Sequence, residues 1–361
     1  MHRVPSCRIM SNSERYDTIE RLRGRFGADL KIVGHHYQAD EVIAHCDLRG
    51  DSLELARRCS LIDSRYIVFC GVYFMAESAA LLAGPDVRVF LPEPSAECSM
   101  ALMSPPKLVR RVMDLLTRER RKVIPVAYVN STLGVKAIVG AMGGAVCTSA
   151  NARIVLEWAL DKADAVLFLP DKNLGHNIGD LLGIPPGERH EVRLRREAEE
   201  LDLEAADKAR LLLWPGFCSI HTRFNTRQIL RVRAEHPGVK VVVHPECVPE
   251  VVKAADAAGS TSFIIRYAEE APAGSTLAIG TEINLVERLA AEHAGRLNIL
   301  PLVESACTHM AQTTEETLCA ALESLDETDR TGGVSPYQVS IGMEEKVSAT
   351  DALERMLDIC R

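Results

Sequence analysis

Two stretches of this chain carry similar landmark residues at identical intervals, and this repetition constrains the fold more than any other feature. The first stretch passes through Tyr37, Ser52, Gly71 and Cys98. The last passes through Glu246, Thr261, Gly280 and Cys307, and in both the successive intervals are 15, 19 and 27 residues. A looser copy between them contains Asn130, Ser149, Pro170 and Cys218, at intervals of 19, 21 and 48. The repetition predicts three related units that each contribute a thiol, a hydroxyl at a helix start and a polar strand end to one central site.

Each copy also has the same predicted secondary structure, a β-α-β-α-β unit. Its first strand is short and continuously apolar, as in KIVGHHY, VIPVAYVN and VKVVVHPE, and amphipathic helices separate it from the strands that follow. Such strands are typical of parallel sheets that are covered on both faces. We therefore expect an α/β fold of three αβα (three-layer) domains with short parallel sheets, arranged with pseudo-threefold symmetry around a central active site.

The repeat boundaries place the domains. The first covers residues 1–105 and is completed by the C-terminal segment 330–361. The second covers 106–220 and includes a charged insertion at about 176–210, which we interpret as a solvated, partly helical excursion. The third covers 221–329.

Polar side chains follow the first strand of each copy. They form the pairs His35 and Tyr37, Tyr128 and Asn130, and His244 and Glu246. Residues at positions i and i+2 of an extended segment point to the same side. Ligands of open α/β sheets bind beyond the carboxyl ends of the strands, where these groups would act as general acids, bases and hydrogen-bond donors to carboxylates. The alternative is ordinary polar termination of a buried strand.

Hydroxyl side chains stand at the start of one helix in each copy. Ser52, Ser149, and the pair Ser260 and Thr261 fall where an N-cap residue is expected. Capping alone is worth about 1 kcal/mol for each helix. If the three helix N-termini converge, their free N–H groups form an anion pocket, which predicts a substrate with several negative charges.

The three repeated cysteines predict a metal centre. Iron–sulfur clusters are held by thiolates, normally four for a cubane, so Cys98, Cys218 and Cys307 would leave one iron without a protein ligand. Such an iron is a Lewis acid that assists the departure of a hydroxyl group. One alternative is that these cysteines are buried apolar residues, as the other eight are expected to be. A second is a zinc site with His221 or His309 as the fourth ligand.

Composition narrows the class of protein. With 47% hydrophobic and 25% charged residues, the chain is typical of soluble globular proteins. The net charge of −8 argues against nucleic-acid binding, which needs a clustered positive surface. The N-terminal residues show no apolar signal segment and no run is long enough to cross a membrane, so we expect a cytoplasmic protein. Its eleven cysteines would then stay reduced and serve metal binding or catalysis rather than disulfides.

The motifs, taken in order, resemble those of the quinolinate synthase family from about residue 30 onward. They are GHHYQADEV, GDSLELA, CGVYFMAES, CSMA, YVNST, CTSANA, LPDKNLG, WPGFCSIH, HPECVPEVV, GSTSFI, IGTEINLV and CTHM. The resemblance implies a [4Fe–4S] cluster on Cys98, Cys218 and Cys307. It also implies a transferase that condenses iminoaspartate with dihydroxyacetone phosphate to give quinolinate, phosphate and water in de novo NAD biosynthesis. Iminoaspartate would come from L-aspartate oxidase.

By the same resemblance, His35, Tyr37 and Glu246 contact the substrate, and our hypothesis is that these three are the catalytic residues that move protons. The substrate-binding residues are Ser52, Tyr128, Asn130, Ser149, His221, His244, Ser260 and Thr261. This set nearly coincides with the set that the repeat selects. Two other functions stay open at this point: a zinc or iron hydro-lyase for another phosphorylated or dicarboxylic substrate, and a binding protein that captures an anion without chemistry.

Overall fold

The structure is a computed structural model that describes residues 10–118, 121–193 and 201–361. Its strands within these ranges are β1 (Leu30–His35), β2 (Leu48–Gly50), β3 (Tyr66–Cys70), β4 (Arg88–Phe90), β5 (Val123–Tyr128), β6 (Ala145–Cys147), β7 (Ala165–Leu169), β8 (Arg189–Glu191), β9 (Leu211–Leu213), β10 (Lys240–Val243), β11 (Ala257–Ala258), β12 (Thr276–Gly280) and β13 (Asn298–Pro301).

Its α-helices are α1 (Asn12–Phe26), α2 (Asp40–Ile43), α3 (Ser52–Cys59), α4 (Tyr73–Leu82), α5 (Ser99–Leu102), α6 (Pro106–Leu116), α7 (Leu133–Ala141), α8 (Ala152–Leu160), α9 (Lys172–Leu181), α10 (Leu203–Lys208), α11 (Thr226–Glu235), α12 (Pro249–Ala254), α13 (Thr261–Glu270), α14 (Ile283–Glu292), α15 (Glu315–Thr331) and α16 (Met343–Ile359). Within the described residues, every helix is too short or too polar to cross a bilayer.

The strands form three separate sheets in which neighbouring strands run parallel. In chain order, the first sheet has strand order β2-β1-β3-β4, the second β6-β5-β7-β9-β8 and the third β11-β10-β12-β13. Strands β3, β5 and β7 are buried at every residue, which explains why their sequences are continuously apolar. The predicted α/β fold of three parallel sheets is confirmed, and the pseudo-threefold arrangement stays a prediction.

Each sheet contains a short strand beside its first strand that the sequence did not reveal. These strands, β2, β6 and β11, are only two or three residues long, and each flanks the first strand of its sheet. Segments this short have no measurable periodicity, so the β-α-β-α-β prediction omitted them. They matter for the site because, after each of these strands, the chain turns into the helix at whose start a hydroxyl side chain was predicted.

The segment 176–210 differs from the solvated excursion that we expected. Its strand β8 pairs in parallel with β9 and becomes the fifth strand of the second sheet. In α9, the buried amide of Asn177 donates to the carbonyls of Pro245 and Cys247, both at 2.8 Å. The high charge was misleading because an edge strand keeps one side open to water. Residues 194–200 of this segment lie outside the described residues.

The C-terminal segment 330–361, assigned above to the first domain, divides between two units. Its backbone pairs with the edge strand β4 of the first sheet, through the amide of Val339 on the carbonyl of Val89 at 2.9 Å. The following helix α16 then packs against α7 of the second unit, where a β-carbon at Gly140 would overlap the carbonyl of Ser348. The segment therefore ties the first two units together.

Candidate active site

Nearly all of the predicted site residues line one cavity between the three units. They are His35, Tyr37, Ser52, Cys98, Tyr128, Asn130, Ser149, Cys218, His221, His244, Glu246, Thr261 and Cys307. The exception is Ser260, which is buried and does not line the cavity. Asp51, Thr148 and His309 line it as well, although the repeat did not select them.

Each of the three thiols lies just beyond the last strand of its own copy of the repeat. Cys98 follows β4, Cys218 follows β9 and Cys307 follows β13. All three are half-buried, and burial raises the pKa of each thiol, to about 11 for Cys98. The thiols therefore stay protonated at neutral pH, and a metal ion would have to replace the proton in order to bind.

The separation of the three sulfur atoms bears on the kind of metal group that they could hold. Among the described residues, only Cys218, His221 and Glu246 offer three ligand atoms that all lie within 4.8 Å of one another. The sulfur atoms of Cys98, Cys218 and Cys307 therefore do not all lie so close. A tetrahedral ion with Zn–S bonds of about 2.3 Å would need them about 3.8 Å apart. The donor set fits a group of several metal ions better than one zinc ion on three thiolates.

A backbone hydrogen bond of the same kind supports each cysteine loop. The first residue of the helix after the central strand donates its amide to the carbonyl two residues before the cysteine. The pairs are Tyr73 to Ala96 at 2.9 Å, Lys172 to Gly216 at 2.9 Å and Ile283 to Ser305 at 3.0 Å. The three copies therefore hold their thiols by the same local backbone geometry.

Carboxylates reinforce two of these three loops. Asp171 caps α9 and also accepts the amide of Cys218 at 3.1 Å. Glu282 caps α14 and also accepts the amide of Cys307 at 3.4 Å. Burial raises the pKa of both carboxyls, to about 7 for Glu282. The corresponding cap of α4 is Val72, whose side chain offers no acceptor, so the loop of the first unit lacks this support.

Two histidines at equivalent strand ends are held in the same tautomer. The Nδ1 atom of His35 accepts the amide of Tyr37 at 3.1 Å, and Nδ1 of His244 accepts the amide of Glu246 at 3.4 Å. An imidazole whose Nδ1 accepts a hydrogen bond carries its proton on Nε2. Burial lowers the pKa of both imidazoles to about 3, so they are neutral hydrogen-bond donors.

Glu246 lies at the centre of a buried polar group. The hydroxyl of Tyr128 donates to its Oε1, and Nδ1 of His221 lies 3.2 Å from its Oε2. The ring of His221 stacks on that of His244 at 4.3 Å between centroids. Burial opposes ionisation of Glu246, but the charge of His221 and these hydrogen bonds outweigh it and lower the pKa of Glu246.

Tyr37 faces this group through a threonine that sequence reasoning missed. Its hydroxyl lies 2.7 Å from Oγ1 of Thr281 and accepts from Thr261 at 3.3 Å. Burial raises the pKa of Tyr37 well above its usual value, so the hydroxyl stays protonated. Thr281 also lies 3.4 Å from Nε2 of His221, and its position next to the repeat landmark Gly280 was the signal available in the sequence.

The helix starts differ from the prediction at two of three positions. Ser52 is the first residue inside α3, and Asp51 is its cap, accepting the amides of Leu53 and Glu54 at 3.0 Å each. Ser149 precedes the cap of α8, which is Asn151. A carboxylate satisfies two helical amides at once, whereas a hydroxyl satisfies one, so Asp51 displaces Ser52 from this role.

Only Ser260 acts as the predicted cap, accepting the amide of Phe263 at 3.3 Å. The hydroxyls of Ser52 and Ser149 are therefore free of capping and line the cavity instead. Asp51 also accepts from Ser262 in the first turn of α13, at 2.7 Å. A carboxylate of the protein thus already occupies the N-terminus of α3.

The chain is similar to proteins of one family over nearly its whole length. The quinolinate synthetase A protein family (NadA) matches residues 17–358. A quinolinate synthase from Corynebacterium glutamicum is 42% identical over 353 residues, 97% of this chain and 88% of that protein. One from Geobacillus kaustophilus is 41% identical over 370 residues, 98% of each. Among solved structures, a D-2-hydroxyisocaproate dehydrogenase matches 86% of this chain and 99% of its own chain at 12% identity, with a TM-score of 0.19.

Proposed function

The chain belongs to the quinolinate synthetase A family, and on this premise we propose that it condenses iminoaspartate with dihydroxyacetone phosphate. The products are quinolinate, phosphate and water, which makes the enzyme a transferase of NAD biosynthesis. L-aspartate oxidase supplies the iminoaspartate. The observation that supports the proposal best is that one cavity contains a thiol from each of three units together with the buried Glu246 and its partners.

In this proposal, Cys98, Cys218 and Cys307 hold a [4Fe–4S] cluster. The support is the donor set itself: three thiols from three units, too widely spaced for one ion, on loops with a shared backbone geometry. When bound, a cluster with three protein thiolates supplies a Lewis-acidic iron for the loss of a hydroxyl group. The remaining steps depend on the side chains around it.

Neutral donors line the cavity where an anionic substrate would bind. His35 and His244 present Nε2–H groups, because their Nδ1 atoms are occupied by backbone amides. Ser52 and Ser149 add hydroxyls that no helix cap uses, and Asn130 adds an amide. Such fixed donors orient carboxylate and phosphate oxygens without reorganisation.

Proton transfer requires a base and an acid within reach of the substrate. In this proposal Glu246 is the base and Tyr37 is the acid, because both line the cavity and each has the charge state that its role requires: Glu246 is ionised and Tyr37 is protonated. Hydrogen bonds connect the two: Tyr37 to Thr281 at 2.7 Å, Thr281 to His221 at 3.4 Å and His221 to Glu246 at 3.2 Å. A proton removed by Glu246 during ring formation returns to Tyr37 along this path.

The test is an anaerobic assay of quinolinate from iminoaspartate and dihydroxyacetone phosphate, with Glu246→Gln as the decisive variant. The change keeps the shape of the side chain and removes its basicity. We expect turnover to fall at least a hundredfold, the usual scale for a lost general base, while iron and sulfide content stay at the wild-type level. Near-normal turnover would refute the assigned role.

A matched control is Glu250→Gln, which changes an exposed carboxylate at the start of α12 in the same unit. It should leave turnover unchanged.

Metal analysis separates the three candidate functions, since about four irons with sulfide per chain support the cluster. Stoichiometric zinc without iron would favour a hydro-lyase, and metal-free protein that binds the substrates without turnover would favour a binding protein.

A further inference from the structure

We propose that the protein without its cluster has a mononuclear site for a zinc-type divalent cation, formed by Cys218, His221 and Glu246. The ligand atoms of these residues all lie within 4.8 Å of one another. Thiolate, imidazole and carboxylate are the three kinds of side-chain ligand that zinc uses, and three protein ligands plus an open position is the usual arrangement of catalytic zinc sites.

Two of the proposed ligands, His221 and Glu246, have hydrogen-bond partners of the kind that orient metal ligands. If Nδ1 of His221 binds the ion, its other nitrogen, Nε2, lies 3.4 Å from Oγ1 of Thr281 and donates to it. If Oε2 of Glu246 binds the ion, Oε1 accepts the hydroxyl of Tyr128. Partners of this kind fix the orientation of metal ligands, and their loss commonly lowers metal affinity 10–100-fold.

The third ligand, Cys218, is held by its backbone. The amide of Cys218 donates to Asp171 at 3.1 Å, so the loop that carries the sulfur is fixed. His221 and Glu246 are buried, and all three ligands line the cavity. In the competing arrangement, one ion on three thiolates, the three sulfur atoms do not all lie within 4.8 Å of one another, so the mixed set is the closer of the two to a coordination shell.

A metal ion at this site would prevent assembly of the active centre. It occupies Cys218, which the proposed cluster needs, and it also occupies His221 and Glu246. We therefore expect zinc and cluster binding to exclude each other. This consequence rests on the proposed function, but binding of the single ion does not.

The experiment uses the full-length, reduced, chelator-treated protein, titrated anaerobically with Co²⁺ as a spectroscopic substitute for zinc. The intensity of the sulfur-to-cobalt absorption counts thiolate ligands. We expect one Co²⁺ per chain with the intensity of one thiolate, complete loss of this band in Cys218→Ser, and at least tenfold weaker binding in Glu246→Gln. Circular dichroism and thermal unfolding check that each variant folds.

The matched controls are Cys98→Ser and Cys307→Ser, which should leave the cobalt spectrum unchanged. A band that loses about a third of its intensity in each of the three cysteine variants would overturn the proposal in favour of a three-thiolate ion. Absence of binding in the wild type would overturn it as well. Tyr128→Phe removes the donor to Glu246 and should weaken binding about 10–100-fold without changing the band.

A second measurement tests the mutual exclusion. The protein is loaded with increasing fractions of one equivalent of Zn²⁺, and the cluster is then reconstituted from iron and sulfide. The yield of bound sulfide should fall in proportion to the zinc occupancy. Full assembly in the presence of one bound zinc would refute the exclusion, whereas failure of the quinolinate assay with normal cobalt binding would count against the proposed function alone.

Discussion

The carboxylate of Asp171 offers the clearest test of how the fold holds a cysteine of the active site. Asp171 is fully buried and accepts the amides of Leu174 at 2.9 Å and Cys218 at 3.1 Å. The change Asp171→Ala leaves both donors buried without an acceptor. An unsatisfied buried donor costs about 1–3 kcal/mol. The free energy of local opening at Cys218 should fall by that amount, which is about 5- to 140-fold in the opening constant.

Amide hydrogen exchange, followed by mass spectrometry on peptides that contain Cys218, measures this opening directly. The control is Asp202→Ala, which removes a cap of the same type from the short helix α10, where Asp202 accepts the amide of Ala205 at 3.0 Å. It should increase exchange only around α10. The wild type contains an internal comparison, since Val72 gives the loop of Cys98 no carboxylate. Unchanged exchange at Cys218 in Asp171→Ala would show that the carboxylate does not hold the loop.

Two further predictions concern stability. Burial, together with the neighbouring His36, lowers the pKa of His35 to about 3. Near pH 6.5 the unfolded chain therefore takes up a proton that the folded chain does not bind. The free energy of unfolding should fall between about pH 6.5 and pH 3, by up to about 1.4 kcal/mol per pH unit. The thermal midpoint of the wild type should therefore decrease more steeply with acid than that of His35→Asn, and equal slopes would contradict the assignment. Gly140→Ala should lower the thermal midpoint because a β-carbon there overlaps the carbonyl of Ser348 in α16. Gly24→Ala is the comparison: it lies in the exposed part of α1, where an added β-carbon would meet no atom within 4 Å apart from its own helix backbone and chain neighbours, and it should stabilise the protein by about 0.5–1 kcal/mol. Shifts of the same sign in the two glycine variants would show that the packing of α16 on α7 is not the reason.

The repeat and the strand pattern predicted the fold class and most residues that line the cavity. Apolar strands that alternate with helices have few solutions other than parallel sheets, and the carboxyl ends of parallel strands share one edge. Residues at the same position in each copy, such as Cys98 and Cys307, were therefore expected at equivalent points. The structure brings both to one cavity.

The sequence pattern did not settle some local features, such as which residue caps a helix and where a short edge strand lies. The helix after β2 could begin with either Asp51 or Ser52 as its cap, and only the folded backbone shows that the carboxylate accepts the amides. Strand β8 was hidden in the charged segment because three residues at a sheet edge leave no periodic signal. In both cases, the sequence was compatible with more than one local structure.

The sequence by itself determined which chemical groups each unit presents, because strand ends and helix starts follow from local patterns of apolar and polar residues. Only the tertiary structure decided which groups meet. Tyr128 reaches Glu246 across 118 residues, and Tyr37 reaches Thr281 across 244 residues, in each case between different units. Such contacts depend on how whole units pack against one another, and packing between distant segments leaves no periodic trace in the chain.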